Sequence, residues 1–322
     1  MTFTNTIKQT KKSFNIFKHT TLLHKTLYLL GLIIAVCLMF NYGKLQVEGF
    51  EEKTNEFKMN TEVTDIYNDL YLSIYDNLVF SKNKNDFEVG SLIKQTNPNE
   101  QSYILDIGSG TGHHISRFKA HGLNSIGIDV SPSMIKMAKK TYPDLNFKLG
   151  NVMDKSLFPD QTFTHITCFY FTIYYIQNKQ LFFSNCMHWL KPGGYMAIHL
   201  VNRDLFDPII PAGNPFYIVS PQKYAKKRIT NTTVHFDTIE YKSDFNIKNT
   251  VNSETSPNAI LTEVLKNKKN GNVVKNEHNF YMSTQADIIN IAKEIGFIVL
   301  SKIEMTKCQY ENQYIYFLQK PN

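Results

Sequence analysis

Apolar and polar positions along this chain repeat with a period that changes several times. An uncharged run covers residues 26–43, and its centre reads Leu-Tyr-Leu-Leu-Gly-Leu-Ile-Ile-Ala-Val-Cys-Leu-Met-Phe over residues 27–40. As a helix these 18 residues would reach about 27 Å, the hydrocarbon thickness of a thin bilayer. The run has no polar face, which predicts a single transmembrane anchor behind a tail over residues 1–25. Residues 44–62 are polar with mixed charge and read as a linker. From residue 63 to 95, Ile66, Leu70, Ile74 and Leu78 recur at helical spacing, predicting one or two helices.

Strand-like and helix-like blocks then alternate. Residues 102–107 form a short apolar strand, followed by Gly108-Ser-Gly-Thr-Gly112 and a helix to about residue 121. A second strand covers 124–130. Ser131 and Pro132 suit the cap and first position of the next helix. Strands are expected at 145–149, 163–171 and 195–201, with a helix at 180–190 closed by Lys191-Pro-Gly-Gly194. Such alternation predicts a Rossmann-like α/β fold with a mostly parallel sheet covered by helices on both faces. Residues 205–282 break the rhythm, with strand-like stretches near 232–245 and 273–281, and read as an antiparallel insertion after strand five. A helix over 284–295 ends at Gly296, and strands over 297–303 and 313–318 close the domain, which is expected to span 63–322.

Charge changes the picture in one respect. The net charge is +7, yet residues 1–47 hold six lysines and no acid, leaving 29 basic and 28 acidic groups in the rest. The body is therefore neutral, and nucleic acid is not an expected partner. The lysines before residue 26 place the N-terminus on the cytosolic side under the positive-inside bias, with the compartment left open. Four cysteines without CxxC spacing support neither a disulfide scaffold nor a metal site.

The loop after the first strand carries the most chemistry. Glycines 108, 110 and 112 let the backbone turn sharply and approach a ligand, and the next helix points its amides at it. A dinucleotide fingerprint would need a third glycine where His113 stands, which counts against a nicotinamide oxidoreductase. Asp129 ends the second strand, 21 residues after Gly108, where a carboxylate can accept both hydroxyls of a ribose. Leu149-Gly-Asn-Val-Met-Asp154, Phe158-Pro-Asp-Gln-Thr-Phe163 and Trp189-Leu-Lys-Pro-Gly-Gly-Tyr195 follow in order. This set resembles the class I S-adenosylmethionine-dependent methyltransferases, over roughly residues 102–203 and by pattern over 280–320.

The resemblance implies a seven-stranded sheet of order 3-2-1-4-5-7-6 and S-adenosylmethionine as cofactor. Asp106, Gly108, Ser109, Gly110 and Gly112 would hold its methionine end, and Asp129 its ribose. Val130 and Met134 would pack beside the adenine, Asn151 and Val152 would meet its edge, and Phe169 would complete the pocket. Asn151 stands where aspartate is common in the family, and Thr164 where strand four usually opens Phe-Asp. A sulfonium methyl needs only an aligned nucleophile, with a base where that nucleophile arrives protonated. His199, His278 and Tyr170 are candidates for catalysis, and Tyr71, Tyr75, Tyr174 and Asn202 for the substrate. The expected function is methylation of a small-molecule or lipid acceptor from a membrane-anchored enzyme. The alternative is an inactive binding module of the same fold.

Overall fold

A computed structural model describes residues 56–208, 221–248 and 256–322, with six helical positions between 26 and 34. The chain divides into two units, Met1–Lys53 and Thr54–Asn322. The tail over 1–25 and most of the expected anchor over 26–43 lie outside the described residues. Among the described residues no helix is long and apolar enough to cross a membrane.

The second unit holds two sheets. Helices α1 (Val63–Ile66), α2 (Asp69–Val79) and α3 (Lys82–Thr96) lead into it, three where one or two were expected. The core then runs β2 (Tyr103–Ile107), α4 (His113–Ala120), β3 (Asn124–Asp129), α5 (Pro132–Thr141), β4 (Asn146–Leu149) and β5 (Phe163–Cys168). It continues through α6 (Thr172–Tyr175), α7 (Lys179–Trp189) and β6 (Leu190–Val201), and closes with α8 (Gln285–Ile295), β11 (Ile298–Glu304) and β12 (Gln313–Gln319). The strands lie in the order β4-β3-β2-β5-β6-β12-β11. β2, β3, β4, β5 and β6 pair in parallel, while β12 runs antiparallel between β6 and β11. Local chemistry sets the helix starts. Ser131 accepts the Met134 N–H ahead of α5, and Thr284 with Asp287 forms a capping box on α8.

Two element boundaries differ from expectation. Strand four ends at Cys168, not Phe171, because Tyr170 takes a left-handed φ of 55° and the chain turns into α6. Strand five starts at Leu190, where Leu190 pairs with Phe163, so Lys191-Pro-Gly-Gly194 lies inside β6 instead of ahead of it.

The insertion is richer than its two legible stretches. β7 (Asn231–His235), β8 (Ile239–Ile247), β9 (Ala259–Asn267) and β10 (Val273–Phe280) form an antiparallel series. A fifth strand, β1 (Phe57–Asn60), joins its edge parallel to β10, with Asn60 bonded to Asn276 at 2.9 Å. The linker expected over 44–62 therefore gives way to sheet at Phe57. Phe245, Ala259 and Phe280 of this second sheet, with Met282 just beyond β10, share one apolar cluster with Ile173, Phe182, Leu200 and Phe206 of the core. That joint burial seats the insertion over the carboxyl ends of the core strands.

Candidate active site

A cleft of about 590 Å³ opens where β2 and β5 diverge from their helices, the switch point of the parallel sheet. Gly108, Gly110, Asp129, Val130, Met134, Asn151 and Val152 line it, as do Tyr71, Tyr75, Tyr170 and His278. A smaller pocket of about 80 Å³ adjoins it and takes in Asp106, Ser109 and Phe169, with Gly108, Gly110 and Tyr170 common to both.

The loop geometry follows from its residues. A Cβ on Gly108 would come within 2.3 Å of Thr172 Oγ1, so only glycine lets α6 close over the loop. The Gly110 N–H donates to Asp129 Oδ2 at 3.0 Å, and the Ser131 N–H to Asp129 Oδ1 at 2.9 Å. Burial pushes the Asp129 carboxyl up, against the pull of those two amides. Beneath the loop, Asp106 Oδ1 accepts from Thr167 Oγ1 at 2.7 Å. Asp106 Oδ2 and Ser109 Oγ are buried without a hydrogen-bond partner, and His114 Nδ1 stays 3.9 Å from that oxygen. Two unmatched polar atoms beside a bare backbone turn suit a small charged group, such as the amino-acid end of S-adenosylmethionine. Lys84, in the same small pocket, is held 2.8 Å from Glu88 Oε1. Burial would raise the Glu88 carboxyl, but Lys84 and His114 outweigh it and hold it at about 2. These residues fit the cofactor.

The opposite wall comes from the insertion. On β9, Glu263 pairs across from Asn276 of β10 and Ser243 of β8. His278 and Tyr241 are two residues along those neighbours, so all three side chains share one face of the sheet. Glu263, fully buried, accepts from Tyr71 Oη at 2.7 Å, from Tyr241 Oη at 2.6 Å, and bonds His278 Nε2 at 2.7 Å. Burial pushes Glu263 up, but His278 and the two phenols together bring it below the ordinary carboxylate value. An ionised Glu263 can only accept, so the hydrogen bond at Nε2 puts a proton on that ring nitrogen. Nδ1 shares a hydrogen bond with the Tyr175 hydroxyl, which is bonded in turn to Tyr67 Oη at 2.9 Å. Tyr67 and Tyr175 both line the cleft, so the chain Glu263–His278–Tyr175–Tyr67 ends at its surface.

Several expected site residues sit elsewhere. His199 is fully buried and does not line the cleft; burial, with Lys84 nearby, drops its imidazole to about 3. It is a neutral core histidine and no base for the cleft. Tyr174 is fully buried, its hydroxyl spent on the Val201 N–H at 2.8 Å. Asn202 lies off the cleft, its side chain accepting the Asp204 N–H at 3.2 Å. Gly112 is absent from the lining; a Cβ there would meet Phe147 at 2.6 Å, so this glycine serves the packing of α4. Tyr170 does reach the cleft, held in its left-handed backbone with Lys84 Nζ 4.6 Å from the ring centre.

Residues 105–198 match the family described as a methyltransferase domain. This part of the chain carries a methyltransferase domain. Among curated proteins, dTDP-4-amino-2,3,4,6-tetradeoxy-D-glucose N,N-dimethyltransferase of Saccharopolyspora spinosa is 30% identical over 145 residues, 42% of this chain and 57% of that protein. The chain spans about half the length of the curated relatives it matches. An S-adenosylmethionine-dependent methyltransferase of Clostridium acetobutylicum superposes at TM-score 0.56 with 16% identity, over 79% of this chain and 98% of that one. SAM-bound CalS10, an amino pentose methyltransferase of Micromonospora echinaspora, gives 0.55 and 14% over the same shares. These structures share the fold of the methyltransferase domain. The matched stretch ends before β7, so Glu263, Tyr241 and His278 lie outside it and Tyr175 within it.

Proposed function

We propose that this chain is an S-adenosylmethionine-dependent methyltransferase acting on the nitrogen of a small-molecule amine. The observation that carries the reading is a single cleft with the glycine loop and Asp129 on one wall and the Tyr175–His278–Glu263 chain on the other. Asp106, Ser109, Gly108 and Gly110 would hold the amino-acid end of the cofactor, Asp129 its ribose, and Met134, Val130 and Val152 its adenine. The cofactor supplies a methyl group on a sulfonium, which leaves as a neutral sulfide. Similar proteins that act on nitrogen, the sugar N,N-dimethyltransferase of Saccharopolyspora spinosa and a sugar N-methyltransferase of Streptoalloteichus, support the same acceptor atom.

An amine arrives largely as its ammonium and must lose a proton before it can attack. Tyr175 Oη takes that proton while its own passes to His278 Nδ1. The resulting imidazolium lies against ionised Glu263, which stabilises it. The aromatic wall and the insertion keep water from the methyl's path. Calorimetry with the full chain tests the first half: S-adenosylmethionine is expected to bind in the micromolar range. Mass spectrometry with a labelled methyl donor and a panel of amines tests the second, expecting label on nitrogen. A folded chain that releases no heat with the cofactor would overturn the reading.

Residues 26–43 remain a proposed single-pass membrane tether, on the strength of their uncharged 18-residue length. Extraction of membranes with alkaline carbonate tests it: release of the protein into the supernatant would refute an integral anchor.

A further inference from the structure

The chemistry of the acceptor wall selects among amines, an inference that rests on the methyl transfer proposed above. Among the described residues, Glu62, Asp129, Asp207 and Glu263 line the cleft, and no lysine or arginine does. Cations close to the cleft have partners of their own: Lys179 Nζ donates to the carbonyls of Ile176 and Tyr281, both at 2.8 Å. Lys84 belongs to the smaller pocket, paired with Glu88. Arg228 lies with its guanidinium carbon 4.8 Å from the Phe206 ring and donates to the carbonyls of Arg203 and Phe206. The sequence over 209–220 and 249–255 also contains no lysine or arginine.

What lines the wall instead is a cluster of aromatic rings. Tyr67 and Tyr71 approach the His278 ring at 6.0 and 6.2 Å between centres, and Phe280 stacks on it at 6.1 Å. Tyr75 meets Tyr71 edge-on at 5.8 Å. Rings over a buried carboxylate attract a desolvated ammonium. A phosphate or carboxylate in the same place would lose its water beside like charges and find no cationic donor.

We propose that the acceptor is an amine carrying no phosphate, diphosphate or carboxylate group, bound in this aromatic wall in its ammonium form. Phosphorylated and nucleotide-linked amines are then excluded by charge and not by size, since about 590 Å³ would admit a sugar.

The test uses the full chain saturated with S-adenosylhomocysteine, with histidines labelled in nitrogen-15. Tetramethylammonium chloride, a mimic of the methylated ammonium, is titrated against sodium phosphate and sodium acetate at equal ionic strength. Tetramethylammonium is expected to saturate and shift the His278 signals, binding at least tenfold tighter than either anion. Glu263→Gln is expected to weaken the cation at least tenfold. Because that buried change threatens folding, Phe280→Leu provides a second variant, with a loss of about threefold. Anion binding equal to or tighter than the cation's, or no saturable cation effect in a folded chain, overturns the proposal. Cofactor affinity is measured in the same samples. Cation binding without cofactor binding would sink the methyl transfer and leave the amine site standing, whereas cofactor binding with preferred phosphate would do the reverse.

Discussion

The two walls of the cleft are built on different principles. The cofactor wall is made of backbone: the loop over 108–112 follows one strand, Asp129 ends the next, and the key contacts are amides donating to a carboxylate. The acceptor wall is made of side chains drawn from separate parts of the chain. Glu263 gathers Tyr71 from 192 residues away, Tyr241 from 22 and His278 from 15. Backbone geometry at a strand end tolerates little variation, whereas a sheet face can be redecorated without moving a strand. The chain has thus joined a general donor wall to a particular acceptor wall.

The comparison breaks most sharply at Tyr175. Replacing Tyr175 by Phe leaves the cofactor wall untouched and cuts the proton path from the cleft to His278. The methyl-transfer rate near neutral pH is expected to fall about 10²- to 10⁴-fold, the usual contribution of general acid–base catalysis, while cofactor affinity stays within about twofold. The defect should shrink as pH rises past the acceptor's own pKa, because the amine then arrives deprotonated. A ratio of wild-type to variant rate that stays constant across pH would show that Tyr175 only shapes the wall.

Asp129→Ala makes the complementary cut. It removes a carboxylate whose hydrogen bonds to ligand hydroxyls are each worth about 1.5–3 kcal/mol. Cofactor affinity measured by calorimetry should therefore drop roughly a hundredfold or more, whatever amine is present. Affinity within fivefold of the unaltered chain would mean that this wall does not grip the ribose.

The same contrast explains what could be read along the chain. The donor wall is legible because its chemistry is local: a glycine loop, an acid after an apolar strand and a capped helix each sit inside about ten residues. Tyr71 and Tyr75 are candidates as tyrosines of the leading helices, and His278 as a histidine of the insertion. Glu263 carried no such mark, since a lone glutamate in Thr-Glu-Val reads as a solvated strand position until its neighbours in the sheet are known. β9 itself went unread for the same reason, and β1 joins its sheet from before the core. Within the aromatic run over 168–175, the resemblance makes Tyr174 a substrate candidate, but the chain makes a left-handed turn at Tyr170. Tyr175 reaches the cleft and Tyr174 goes into the core.

The smallest expected effect on activity concerns His199, and it separates position in sequence from position in the site. Ending strand five, His199 has the place of a base, yet it is packed away from the cleft. His199→Leu should leave cofactor affinity and methyl-transfer rate within about twofold, since a core change of similar volume costs under about 1.5 kcal/mol. Its signature is instead acid stability. Burial depresses the imidazole from 6.5 to about 3, so below pH 6.5 the unfolded chain takes up a proton that the folded chain refuses. Stability linked to His199 is complete above pH 6.5 and is lost as pH falls toward 3, by about 2–3 kcal/mol at pH 4.5. The leucine variant lacks that loss. Relative to the pair's difference at pH 8, its melting temperature at pH 4.5 should gain about 5 °C on the wild type. Equal shifts at both pH values would show that His199 takes up its proton in the fold, which would return it to the list of groups able to act as a base.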